Sequence, residues 1–221
     1  MNTIENTDFD LNIDFEIDFV ESTDEKTKIL QNESKKIIKD KKIYRKFLDK
    51  QYSRVRNISE LLGKLPKKNE QIRIITQKSF NAYAILLYIL EQKNIEECYI
   101  ATYNIDKNTI KGLKLLVDSD NIKKLTIVIS DSLNFRMPDR ANELKKIANK
   151  KIQIIFVNNH TKITCVKTKE DFYVIEGSGN LTDNATIEQY LFENCKETYN
   201  FHKEWIEDIK NMKYKVIEIF N

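Results

Sequence analysis

Glycine and proline are scarce in this chain, with four and two copies among 221 residues. The three cysteines, Cys98, Cys165 and Cys195, are widely spaced and lack a Cys-x-x-Cys or a histidine-rich partner. Neither a disulfide framework nor a zinc site is suggested, and a reducing cytosol fits. No window approaches the ~18 consecutive apolar residues of a spanning helix, and the first residues are acidic where a signal peptide carries Lys or Arg. The expectation is a cytoplasmic protein with no membrane association.

Hydrophobic residues make up 41% of the chain and charged ones 32%, the balance of a globular protein with a heavily solvated surface. The length suits one well-buried domain, which usually takes roughly 100 to 200 residues, plus an appendage. The net charge of +3 conceals an asymmetry, because residues 1–25 hold nine acidic residues and no Lys or Arg. The rest keeps 25 acidic against 37 basic residues, about +12. Such a body suits a polyanionic partner, with simple solvation of a lysine-rich surface as the alternative.

Three segments are expected. In residues 1–25, Phe9, Leu11, Ile13, Phe15, Ile17 and Phe19 alternate with acidic or polar residues. This reads as a disordered acidic tail whose apolar teeth dock on a protein partner, with an added edge strand as the alternative. The tail is also a candidate mimic of a polyanionic substrate. Residues 26–66 read as a helical extension: Lys26 to Lys50 keeps a helical apolar spacing, and a short helix from Ile58 to Leu65 stops at Pro66.

Residues 67–221 read as an α/β domain. Strand-like runs at Ile72–Thr76, Cys98–Tyr103, Leu125–Ser130 and Ile152–Val157 alternate with helical patterns at Asn81–Gln92, Thr109–Val117 and Arg140–Ala148. Thr161–Lys167 and Phe172–Glu176 then bracket a polar turn, which predicts a hairpin. A further run, Gln189–Phe192, precedes a terminal helix containing Trp205. The stripe Ala82, Ile85, Leu86, Ile89 and Leu90 reads as core. Lys145-Lys146 and Lys150-Lys151 read as a solvated helix end.

Two of the four glycines, Gly177 and Gly179, flank Ser178 directly after the hairpin's second strand. Glycine spent there implies a backbone that passes close to another group or turns with positive φ. On an extended strand residues i and i+2 project from one face, so His160 and Lys162 look the same way. Folding the hairpin returns Ser178 and Asn180 to that pair.

This His-x-Lys followed by Gly-Ser-Gly-Asn resembles the defining motif of the phospholipase D superfamily. The resemblance covers mainly Asn158 to Tyr190, and the alternating segment from Gln71 is compatible with that family's fold. It implies a mixed sheet flanked by helices and a phosphodiesterase site that needs neither metal nor cofactor. It also implies a homodimer, because one-motif members assemble a site from two copies, with Glu188 orienting the histidine across the interface. Two features depart from the family pattern. Lys167 stands where the family usually has Asp, leaving Glu170 or Asp171 as replacements, and the interval from Lys162 to Gly177 is longer than usual.

The chemistry of an anionic diester assigns the roles. A neutral imidazole approaches a charged phosphoryl group more easily than a carboxylate does, which makes His160 the nucleophile of a phosphohistidine intermediate. Lys162 and Asn180, helped by Ser178, would hold the non-bridging oxygens. The leaving alkoxide needs a proton from a second imidazole. His202 has no Lys two residues on and reads as a surface or packing residue, so that second imidazole is expected from His160 of another copy. The leading expectation is a nuclease acting on DNA. A catalytically inactive nucleic-acid or protein-binding module and a phospholipid phosphodiesterase are the alternatives.

Overall fold

A computed structural model describes residues 56–77, 80–182, 187–209, 212 and 216–221. The expected tail and most of the helical extension lie outside the described residues. Residues 56–62 are helical, and the helix ends at Gly63, whose φ of 65° is the left-handed conformation that favours glycine after a helix.

Eight strands form one mixed sheet in the order β1-β7-β6-β5-β2-β3-β4-β8. The first four are β1 (Gln71–Gln77), β2 (Glu97–Thr102), β3 (Leu125–Ser130) and β4 (Ile152–Val157). They are followed by β5 (Ile163–Lys167), β6 (Phe172–Gly177), β7 (Ile187–Asn194) and β8 (Val216–Phe220). The β2, β3 and β4 strands are parallel, and every other pairing is antiparallel. Their sequences explain this placement. Parallel strands covered on both faces need near-continuous apolar runs, and Ile152–Val157 has only Gln153 to interrupt its run.

After the helix over residues 56–62 come α1 (Ala82–Leu90), α2 (Lys107–Asp118), α3 (Leu133–Arg136), α4 (Pro138–Ile147) and α5 (Lys196–Ile209). Asn81 caps α1 by accepting the Ala84 N–H, and Asp106 caps α2 by accepting that of Thr109. One face of the sheet buries Ile74, Ile100, Ile127, Ile154 and Phe192 with residues of α1, α2 and α4. The other face buries Tyr99, Ala101, Val128, Ile155 and Val174 with Tyr199, Ile206 and Ile209 of α5. Alternation along β2, with Ile100 in one core and Tyr99 and Ala101 in the other, follows from the two-residue period of a strand.

The helices expected from Asn81 onward and the hairpin stand where the pattern put them, and the short helix expected from Ile58 to Leu65 runs over residues 56–62. The turn closes through the Thr168 N–H, which donates to the Asp171 carbonyl at 2.9 Å. Two elements were not anticipated: the single turn α3 and the strand β8, which covers the free edge of β4. Among the described residues no helix is long and apolar enough to cross a membrane.

Candidate active site

The candidate site begins where the parallel strands finish, the place at which open α/β sheets present ligand-binding residues. After β4 the chain crosses back to start β5 beside β2, and buried Asn159 pins that crossing. Its Nδ2 donates to the Thr102 carbonyl at 3.1 Å and to the Val128 carbonyl at 3.4 Å. Its Oδ1 accepts the Thr161 N–H at 2.9 Å and the Thr161 hydroxyl at 2.6 Å. With Asn159 drawn inward, its neighbour His160 is exposed.

The sequence reading placed His160 and Lys162 on a strand, but β5 starts only at Ile163. The crossing held by Asn159 keeps both residues ahead of the ladder. Their side chains meet nonetheless: Lys162 Nζ donates to the His160 carbonyl at 2.8 Å and lies 3.4 Å from Nδ1 of the same residue. Among the described residues Nε2 of His160 has no hydrogen-bond partner.

The strand β6 returns antiparallel to β5, pairing Glu176 with Ile163, and the Gly177 N–H donates to the Lys162 carbonyl at 3.2 Å. The glycines that follow answer to close approach rather than to positive φ. A side chain at Gly177 would collide with the Tyr190 ring and come within 2.6 Å of the Gln189 carbonyl. One at Gly179 would meet the Tyr190 hydroxyl and lie 3.2 Å from the Glu188 carboxyl carbon. The group under this turn is therefore chiefly an aromatic ring, and burial, aided by the nearby Glu188 charge, pushes the Tyr190 phenol well up.

Ser178 donates its hydroxyl proton to the Glu188 carboxylate and accepts the Gln189 N–H at 3.1 Å. Asn180 Oδ1 lies 3.5 Å from the Thr102 hydroxyl. At one end of the sheet the five candidate residues thus form two pairs among themselves, His160 with Lys162 and Ser178 with Glu188, and Asn180 faces Thr102. Backbone ties join them, since Thr102 also receives Asn159 and Gly177 bonds Lys162.

Sequence reasoning missed the aromatic–cation stack on which His160 rests. The imidazole lies 4.6 Å from the Tyr103 ring centre, inclined at 48°. The Arg136 guanidinium covers Tyr103 at 4.4 Å, and Lys162 Nζ is 6.0 Å from the same centre. Tyr103 was findable as the first residue after a parallel strand; Arg136 was not, because α3 carries no sequence signal of its own.

Other residues fall elsewhere. Lys167 stands at the far end of β5, 3.3 Å from Glu96. Asp171, in the hairpin turn, binds Lys93 and accepts from Asn194 Nδ2 at 2.7 Å. Burial raises its pKa, but these bonds outweigh burial and hold the carboxyl below its ordinary range. Glu170 is exposed in the same turn. His202 is a buried packing residue: Trp205 Nε1–H donates to its Nδ1 at 3.0 Å, so its Nε2–H faces Glu176 at 2.7 Å.

No protein-family model matches this chain, and no curated protein matches it in sequence. It is similar to the solved structure of Nuc from Salmonella typhimurium, a phospholipase D family member. The TM-score is 0.51 at 19% identity, over 66% of this chain and 98% of that one. NucT from Helicobacter pylori gives 0.50 at 19% identity, over 66% and 99%. Polyphosphate kinase from Porphyromonas gingivalis gives 0.53 at 11% identity, over 64% of this chain and 26% of that one. The chain has a phospholipase D-like fold.

Proposed function

We propose that this protein is a phosphodiesterase that cleaves nucleic acid, DNA first, through a phosphohistidine intermediate in a site shared by two copies of the chain. One observation carries the reading. His160 and Lys162 are held together, outward-facing, at the carboxyl ends of β2 and β3, and Gly177 bonds directly to Lys162.

The roles follow from charge and proton balance. Nε2 of His160 attacks phosphorus, the phosphorus–oxygen bond to the leaving strand breaks, and an N–P bond forms. Attack through Nε2 places the ring proton on Nδ1, so Lys162 turns its ammonium from His160 toward the phosphoryl oxygens. Asn180 donates through its amide nitrogen, since its Oδ1 already faces the Thr102 hydroxyl. Ser178 and Glu188 are positioning residues that shape the turn. The departing alkoxide takes a proton from the imidazolium of the second copy; that imidazole then takes a proton from the water that attacks phosphorus, the N–P bond breaks and His160 returns as the free ring.

A binding module without activity is the second reading, favoured by Lys167 in place of the family's Asp and by its engagement with Glu96. A nicking assay in EDTA, run on circular single-stranded DNA and on supercoiled plasmid, separates the two. Activity in the wild-type protein, reduced on the order of a thousand-fold or more in His160→Ala, is the expected result. Absence of nicking by both proteins would reject the enzyme in favour of the binding module.

A further inference from the structure

One large apolar side chain beside the site is left in water. Phe135 is 85% exposed, more than any other large hydrophobic residue among those described. A lone exposed ring is common on protein surfaces; its setting here is not. Phe135 belongs to α3, with Leu133 fully buried on one side and Arg136 stacked on Tyr103 on the other.

The turn is fastened at several points. The Asp131 N–H donates to the Val157 carbonyl at 3.0 Å, tying its start to the end of β4, two residues before Asn159. The Ser130 and Ser132 hydroxyls are 2.8 Å apart, and Ser132 Oγ accepts from Arg136 Nε at 3.2 Å and Nη2 at 3.0 Å. The phenyl ring is therefore carried by an anchored platform whose next residue starts the Arg136–Tyr103–His160 stack. Among the described residues Arg136 makes no ion pair with a carboxylate, so its charge is free for an anion.

We propose that Phe135 stacks on a nucleobase and that the substrate is an unpaired stretch of nucleic acid. The proposal rests on the phosphodiesterase reading and narrows its substrate class. Arg136 and Lys162 meet the phosphates on one side of the stack, while an unpaired base lays its face on the phenyl ring. Alternating cation and aromatic contacts of this kind bind single strands without regard to sequence. A duplex keeps its base faces inside its own stack and offers none to Phe135.

The test measures binding by fluorescence anisotropy on a His160→Ala background, so that cleavage does not interfere. The probes are a labelled single-stranded oligonucleotide, its duplex, and the same strand carrying abasic sites. The single strand should bind more tightly than the duplex, and Phe135→Ala should weaken it on the order of ten-fold. Duplex and abasic strand should change less than two-fold, and Phe135→Trp should keep the single-strand affinity. Equal weakening of single strand and duplex, or no change in either, overturns the proposal while leaving the phosphodiesterase reading intact. Loss of a dimer in Phe135→Ala, with single-strand affinity unchanged, assigns the ring to a subunit contact instead. Failure of the parent protein to bind any of the three probes removes both readings together.

Discussion

Where β2, β3 and β4 begin, four lysines are matched to carboxylates, while Lys123, Lys124 and Lys150 form no ion pair among the described residues. Lys167 lies 3.3 Å from Glu96, Lys203 lies 3.0 Å from Glu97, Lys151 lies 2.6 Å from Asp120, and Lys93 binds Asp171. Where the same strands finish, Arg136 and Lys162 instead lie against the ring of Tyr103, and among the described residues neither pairs with a carboxylate. A surplus of basic residues thus says little about where a polyanion goes. A matched lysine adds little to the field outside the protein, whereas an unmatched cation beside a strand terminus draws an anion to that spot. Lys93, Lys151, Lys167 and Lys203 are each neutralised by a partner, whereas Arg136 and Lys162 beside His160 have no carboxylate partner among the described residues.

The comparison breaks most visibly if the crossing that carries His160 proves dispensable. Asn159→Ala removes the donor shared by Thr102 and Val128, and it should cost about 2–3 kcal/mol in urea denaturation, the scale of a lost buried hydrogen-bonding group. Nicking should fall with it, because His160 loses its support. Full activity in a stable variant would show that the crossing does not position the ring.

At the opposite end, Asp171→Asn should destabilise by about 2 kcal/mol near neutral pH, as expected for bonds to a charged group, while leaving nicking unchanged. The pH dependence has a definite sign. The folded pKa of Asp171 is depressed, so its contribution is complete above the ordinary aspartate range, about 3.9, and is lost as pH falls toward the folded value. The stability gap between wild type and variant should therefore close in acid. A gap that persists there would assign the loss to packing rather than to charge.

The smallest effects compare single cations. Arg136→Ala should weaken DNA binding and reduce the slope of log affinity against log salt by about one. Lys151→Ala should leave both affinity and melting temperature unchanged, since its partner Asp120 already meets it in water. Equal salt slopes for the two variants would erase the distinction between the ends of the sheet.

Much of this organisation is legible in the residues. Alternating β-branched and helical runs mark β1 to β4 and α1, α2 and α4, and the polar stretch Thr168 to Asp171 marks the hairpin. β8 is not legible, because it becomes a strand only by meeting the edge of β4. The Gly177–Gly179 turn could be located and a close approach was among the reasons expected for it, but the ring that it approaches could not be named. Tyr190 lies under that turn because β7 pairs with β6, and no local pattern in the sequence reports a strand order.

The amino-acid order by itself determined the contacts that span a few residues or one hairpin: imidazole beside ammonium two residues apart, and the Ser178 turn returning to the start of β5. Short-range backbone geometry is enough for these. Tertiary structure alone decided that Asn159 would reach Thr102 at the end of β2 and Val128 within β3, and that Arg136 and His160 would share the ring of Tyr103. Those partners are more than twenty residues apart and meet only because the parallel strands end side by side.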